Sequence, residues 1–207
     1  MPDFALESAF HRDGVAPVAG IDEAGRGPLA GPVVAAACIL PSAGAIAGLD
    51  DSKKLSAAKR EMLYEAITSH PEVVWAVGLA DCQEIDRHNI LRATHLAMAR
   101  AADGLATTPA MCLIDGLPVP GFPRPSHAVV KGDAISLSIA AASILAKVTR
   151  DRIMSRMDSE FPQYGFASHQ GYGTKAHLDA LRIHGPCPQH RRSFRPIAQL
   201  TLPLNDV

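Results

Sequence analysis

The chain has 207 residues, 47% of them apolar and 20% charged, with a formal net charge of −1. These values describe an ordinary globular protein and exclude a disordered or fibrous one; the charge also excludes a protein that holds polyanions through bulk positive charge. The length closes one substantial core and requires no second domain, so a single domain over 1–207 is the expectation, with a core at about 15–160 and a helical, basic region at about 161–207.

Charge is unevenly distributed. Acids outnumber bases 13 to 9 through residue 100 and are outnumbered 8 to 11 after it. Within 167–196 the one acid, Asp179, stands among Lys175, Arg182, Arg191, Arg192 and Arg195, with His169, His177, His184 and His190 beside them. Such a stretch is either a patch for a polyanion backbone or a solvated basic tail. Cys38, Cys82, Cys112 and Cys187 are scattered without zinc-like spacing, which predicts inert, mostly buried thiols in a reducing, cytoplasmic setting. Met1–Phe10 carries Asp3 and Glu7 and no basic residue, unlike a secretory leader. Leu29–Leu49 is uncharged and about long enough to span a bilayer, but Gly31, Pro32, Pro41, Gly44 and Gly48 interrupt it. A buried strand, a turn at Pro41-Ser42-Ala43-Gly44 and a loop are expected there, and no membrane span.

In chain order, Val18–Asp22 and Val33–Leu40 read as strands joined by a glycine-rich connection, the second so apolar that it belongs at the sheet centre. Ser56 caps a helix running to about Ser69. Val73–Leu79 is a further strand, and Asp81 with Glu84 forms a capping-box pattern for a helix to about Ala102, broken near His88-Asn89. Met111–Asp115 and His127–Val130 are short strands. A long helix is expected from Asp133 to about Asp158, and Thr174 caps another that stops at Gly185-Pro186. Together these predict an α/β fold, a mixed sheet with helices packed against it. Strand order does not follow from the pattern.

Four acids stand at the ends of apolar runs: Asp22 and Glu23 after Val18-Ala19-Gly20-Ile21, Asp115 after Met111-Cys112-Leu113-Ile114, and Asp133 after Val129-Val130-Lys131-Gly132. Singly, Asp133 reads as a helix cap and Asp115 as a turn residue before Gly116. Jointly, strand-end carboxylates from separate segments converge on one sheet edge, where a hard divalent cation would neutralise them. Adjacent strand residues point to opposite faces, so Asp22 and Glu23 reach one ion only where the strand ends, and Ala24-Gly25 is expected to end it. With no nucleophile–base pair in evidence, such a cluster suits metal-assisted phosphodiester hydrolysis.

Three further elements offer substrate contacts, the first of them directly after the acid pair. In Gly25-Arg26-Gly27-Pro28 the glycines allow close backbone approach and Arg26 offers a phosphate contact, although turns share this composition. His169-Gln170-Gly171-Tyr172-Gly173-Thr174 presents an aromatic ring that either stacks on a base or sugar or anchors a surface loop. In Asp50-Asp51-Ser52-Lys53-Lys54-Leu55, Lys53 and Lys54 either reach a backbone phosphate or line a helix-entry loop.

The ordered series Gly20-Ile21-Asp22-Glu23-Ala24-Gly25-Arg26-Gly27-Pro28, Asp51-Ser52-Lys53-Lys54-Leu55, Ile114-Asp115-Gly116, Lys131-Gly132-Asp133 and Gly171-Tyr172-Gly173-Thr174 resembles ribonuclease HII, as does the closing His190-Arg191-Arg192-Ser193-Phe194. The likeness runs from about residue 18 to about 196. It implies a ribonuclease H-like mixed sheet with a helical C-terminal region. It also implies a Mg²⁺ or Mn²⁺ site made by the catalytic carboxylates Asp22, Glu23, Asp115 and Asp133. The implied activity is two-metal-ion hydrolysis of RNA in RNA–DNA hybrids and incision 5′ of single ribonucleotides in duplex DNA, leaving 3′-hydroxyl and 5′-phosphate ends. Gly25, Arg26 and Gly27 match the element that reads the 2′-hydroxyl, the group that separates RNA from DNA, and Tyr172 matches the tyrosine that stacks at the junction. Many relatives carry lysine where this chain has Gln170, which predicts one phosphate contact fewer. No clamp-docking tail is evident after Phe194, the extra N-terminal domain of ribonuclease HIII is not evident either, and a monomer is the default expectation. A junction resolvase would share the chemistry but not the glycine-arginine-glycine element, and a catalytically dead binding module would not need all four acids.

Overall fold

The computed structural model describes residues 1–41 and 46–200. Its elements in chain order are α1 (Ala5–Arg12), β1 (Val18–Ala24), β2 (Val33–Ile39), α2 (Ala57–Ser69), β3 (Val74–Ala80), α3 (Cys82–Asp103), β4 (Met111–Asp115), β5 (Ser126–Val129), α4 (Leu137–Glu160), the short α5 (Phe166–His169), α6 (Lys175–His184) and α7 (Arg195–Leu200). The strands form one sheet in the order β3-β2-β1-β4-β5. β2 is antiparallel to both β1 and β3, whereas β4 runs parallel to β1 and β5 parallel to β4.

Every residue of β2 is buried, as its unbroken apolar run requires of a central strand covered on both faces. On one face Ala19 and Ile21 of β1 pack with Ala93, Ala97 and Met98 of α3. On the other, Ala36 and Cys38 of β2 pack with Ala140, Ala141 and Ile144 of α4. Gly20 sets the second spacing: a β-carbon there would lie 2.1 Å from the Ser138 carbonyl carbon, so α4 rests on the backbone of β1. A third apolar cluster joins Met154 and Met157 of α4 to Phe166, Leu181 and Ile197, which docks the C-terminal helices beside the sheet. Among the described residues no helix is long and apolar enough to cross a membrane. Of the uncharged Leu29–Leu49 stretch, Val33–Ile39 is β2, and Ser42, Ala43 and Gly44 of the expected turn lie outside the described residues. All four cysteines are buried free thiols.

Helix starts follow their caps. Ser56 and Thr174 accept backbone N–H bonds from Lys59 and His177, and Asp81 with Glu84 closes a reciprocal capping box. α3 breaks at Asn89, at φ 64° and ψ 163°, where the sequence predicted an interruption. Two expectations are corrected and one element is added. The long helix does not open at Asp133: a 3₁₀ turn spans Gly132–Ala134 and the Ser136 hydroxyl caps α4, because a hydroxyl three residues before Ile139 meets its N–H. β1 does not stop at Asp22, since its ladder with β2 continues through Asp22–Ala36, Glu23–Ala35 and Ala24–Val34. Helix α1 was not foreseen; it buries Glu7 against the start of α4, where its carboxylate accepts bonds from the Ser136 hydroxyl (2.5 Å) and the Ser138 N–H (3.0 Å).

Candidate active site

The parallel pairing of β1 with β4 carries Asp22 and Asp115 to the same end of the sheet. The turn after β5 adds Asp133: Lys131 takes a left-handed backbone (φ 57°), the chain reverses into the 3₁₀ turn, and the Gly132 N–H donates to Asp115 Oδ1 at 2.6 Å. One carboxylate oxygen from each of Asp22, Asp115 and Asp133 lies within 4.8 Å of the other two. Glu23 stands outside this trio. The continuing ladder turns it to the α3 face of the sheet while Asp22 faces α4, yet both line the cavity at the strand end. The Glu23 carboxylate meets Arg26 at 3.3 Å.

Burial pushes the Asp22 carboxyl well above its ordinary range, and the adjacent charges of Glu23 and Asp115 push the same way. Glu23 is raised chiefly by burial, with Arg26 opposing, and Asp133 by burial and then by Asp115. Carboxylates gathered this closely repel unless a cation joins them. The nearest cation to Asp133 is Lys53, whose ammonium lies 3.6 Å away on a largely exposed side chain. An all-oxygen set of closely spaced carboxylates, left under-compensated by the protein, fits a hard divalent ion such as Mg²⁺ or Mn²⁺.

The cavity is lined by Asp22, Glu23 and Asp115, by Gly25, Arg26 and Gly27, by Lys53, and by Tyr172. Tyr172 is half exposed, and a β-carbon on Gly27 would sit 3.4 Å from its ring. Lys54 is not brought in. Its ammonium pairs with Asp50 at 3.3 Å on the outer side of the loop.

Several contributors escaped the sequence reading. Ser143 of α4 stands beside the Asp22 carboxylate and favours its ionised form, and its hydroxyl lies 2.8 Å from that of Ser52. The neighbouring charge of Asp51 also raises the Asp133 carboxyl. Lys147 lines the cavity and pairs with Asp151 at 2.6 Å. Two buried arginines hold the connection between β1 and β2 by its carbonyls. Arg150 donates to Ala30, Pro32 and Gln170; Arg191 donates to Gly25, Arg26 and Gly31.

Arg191 therefore fits neither alternative for the basic stretch, a polyanion patch or a solvated tail. Its guanidinium is fully buried and spent on backbone carbonyls, and His177 and His190 are buried as well. Arg182 is tied to Asp179, leaving Lys175, Arg192 and Arg195 as exposed cations of that stretch. A signal for Arg150 and Arg191 existed in principle: a loop with many unpaired carbonyls and few side chains needs internal donors.

Residues 19–197 match the family described as Ribonuclease HII. Ribonuclease HII of Acidovorax sp. (strain JS42) is 58% identical over 182 residues, covering 88% of this chain and 87% of that protein. Ribonuclease HII of Desulfitobacterium hafniense is 56% identical over 193 residues, covering 93% and 74%. Among solved structures, ribonuclease H2 from Pyrococcus horikoshii OT3 superposes with a TM-score of 0.74 at 26% identity, over 88% of this chain and 96% of that one. The mixed five-stranded sheet, its carboxylate cluster and these likenesses agree: the chain belongs to the ribonuclease HII family, metal-dependent endonucleases that hydrolyse phosphodiester bonds.

Proposed function

We propose that this enzyme cuts the RNA strand of RNA–DNA hybrids and incises duplex DNA 5′ of a single embedded ribonucleotide, leaving 3′-hydroxyl and 5′-phosphate ends. The observation that carries the reading is one cavity lined by Asp22 and Asp115 of the carboxylate cluster, by Glu23, and by the Gly25-Arg26-Gly27 and Tyr172 elements. Asp22, Asp115 and Asp133, with Glu23 at the rim, would hold two Mg²⁺ or Mn²⁺ ions, which when bound supply an activated water and charge stabilisation at the leaving oxygen.

The chain's own groups do the rest. Arg191 draws the Gly25, Arg26 and Gly31 carbonyls inward, which fixes the backbone of the 25–31 loop as a rigid surface for a ribose 2′-hydroxyl. Arg26 and Lys53 present cationic ends to phosphates on either side of the cut, whereas Lys54, paired with Asp50, is left out of this role. The Tyr172 ring offers a stacking face at the cavity mouth. Ser143, backed by the Ser52 hydroxyl, would favour the ionised form of Asp22. A monomer acting in the cytoplasm, at the first step of ribonucleotide removal from DNA, completes the reading.

The deciding assay uses a labelled DNA duplex with one ribonucleotide, beside an all-DNA duplex and an RNA–DNA hybrid, with Mg²⁺ or Mn²⁺. A single cut 5′ of the ribonucleotide with the all-DNA control intact is expected. Digestion of the hybrid alone would discard single-ribonucleotide recognition.

A further inference from the structure

Tyr172 stands on three histidines whose protons can be placed from their partners. The Tyr172 carbonyl only accepts, so His177 Nδ1, 2.9 Å from it, carries the hydrogen and Nε2 of that ring is bare. The Cys187 N–H only donates, to His190 Nδ1 at 3.0 Å, so His190 carries its hydrogen on Nε2. The two Nε2 atoms lie 3.0 Å apart, and His190 therefore donates to His177. His169 obeys the same logic, donating from Nε2 to the Tyr164 carbonyl and accepting the Gly171 N–H at Nδ1. Its ring stacks on His177 with centroids 4.5 Å apart.

One placement of protons thus satisfies the ring nitrogens of all three histidines, and it is the neutral one. The result is a directed relay from the Cys187 backbone through His190 and His177 to the carbonyl of Tyr172. The neighbouring backbone is fixed too: the Leu29 N–H donates to the Gly171 carbonyl at 2.8 Å and Arg150 donates to that of Gln170. The loop bearing the ring is therefore locked to the connection that bears Gly27, and the ring reaches the cavity mouth from a rigid base. His177 and His190 are inaccessible to any phosphate.

We propose that His177 and His190 are positioning residues for Tyr172, acting on substrate through the hydrogen bond to its carbonyl. This rests on the substrate contact assigned above to Tyr172. A merely structural pair would lower stability without touching substrate affinity, which gives the test its discriminating arm.

The experiment is a double-mutant cycle on an RNA–DNA hybrid, with KM and kcat measured separately and melting recorded for every variant. Tyr172→Ala should raise KM roughly tenfold, as loss of one base–aromatic stack does. His177→Leu should raise KM by a similar factor with kcat near wild type, and should add nothing to Tyr172→Ala. Full additivity, or an unchanged KM in His177→Leu, overturns the relay and leaves the Tyr172 assignment standing. An unchanged KM in Tyr172→Ala overturns both. If His177→Leu does not fold, His177→Asn serves instead, since its amide can donate to the Tyr172 carbonyl. It should keep KM near wild type, and a rise as large as that of Tyr172→Ala would overturn the proposal.

Discussion

The Arg150 side chain fills the space that a β-carbon on Gly25 would need: that carbon would lie 2.0 Å from Arg150 Nε and 2.4 Å from Cδ. It would also come within 2.9 Å of the Pro32 carbonyl oxygen, and Gly25 has φ +95°. Glycine is demanded twice here, by backbone conformation and by the arginine behind it. Gly25→Ala should therefore cost about 2–3 kcal/mol of strain, lowering Tm by roughly 5–10 °C, and should depress cleavage more than the melting change explains. Melting and cleavage of the purified variant check this, and a variant matching wild type in both would show that the guanidinium yields freely.

The carboxylate cluster predicts a dependence on pH and metal. Asp22, Glu23 and Asp133 all have their carboxyls raised in the fold, mainly by burial. Below the ordinary values of 3.8 and 4.5 both folded and unfolded chains are protonated, so stability is then fully present. As pH rises toward the raised folded values the unfolded chain loses its protons first, and the metal-free fold weakens. A divalent cation binds the ionised form and should raise Tm more at about pH 8 than at about pH 5. Asp22→Asn should melt higher than wild type without metal, gain less from Mg²⁺ or Mn²⁺, and cut at least roughly a thousandfold more slowly. Equal metal stabilisation of wild type and variant would remove Asp22 from the site.

Glu7 supplies a prediction remote from the chemistry. Its carboxylate ties α1 to the start of α4, and the same segment is held by the Asp3 N–H to the Ile135 carbonyl. Glu7→Ala strands the Ser136 hydroxyl and the Ser138 N–H, at a cost of about 2 kcal/mol or roughly 4–8 °C in Tm. Because Asp133 sits in the turn just before, kcat should fall along with stability. Glu7→Gln, which can still accept from Ser138, should lose less. Identical melting for alanine and glutamine variants would assign the whole effect to packing.

What could be read in advance follows from where the signal lies. Asp22 and Asp115 each follow an apolar run, so strand pattern placed both near strand ends, and the parallel pairing of β1 with β4 then draws them together, whereas Asp133, expected to open the long helix, comes in from the 3₁₀ turn after β5. The capping box at Asp81 and Glu84 and the break at Asn89 are local chemistry, written in neighbouring residues. The donor-poor loop signals that buried donors are needed but not that Arg150 and Arg191 supply them, because a cation's burial is decided by which carbonyls fold around it, and Arg191 stands beside an arginine that is exposed. Lys53 and Lys54 are likewise indistinguishable as letters; the turn after Asp51 sends one to Asp133 and the other back to Asp50. Glu23 could not be placed because nothing local shows that β1 keeps its ladder through Ala24.

The buried histidine pair makes the fold lose stability as the pH falls. Burial first, and then the neighbouring His177, hold His190 down at about 4, against an ordinary 6.5, and burial lowers His177 as well. Above 6.5 the rings are neutral in both folded and unfolded chains, and the contribution to stability is fully present. As pH falls from 6.5 toward about 4 the unfolded chain takes up protons that the folded relay refuses, so stability declines across that window. For His190 the loss is at most about 3 kcal/mol. The carboxylate cluster works in the opposite sense over the same range, so the clean comparison is with His190→Asn, which can keep an acceptor for the Cys187 N–H but does not titrate. Denaturant unfolding of both proteins from about pH 7 to about pH 4 should show wild type losing more stability than the variant. Parallel curves would mean that the relay accepts a proton without breaking, and the neutral assignment of the two rings would then be wrong.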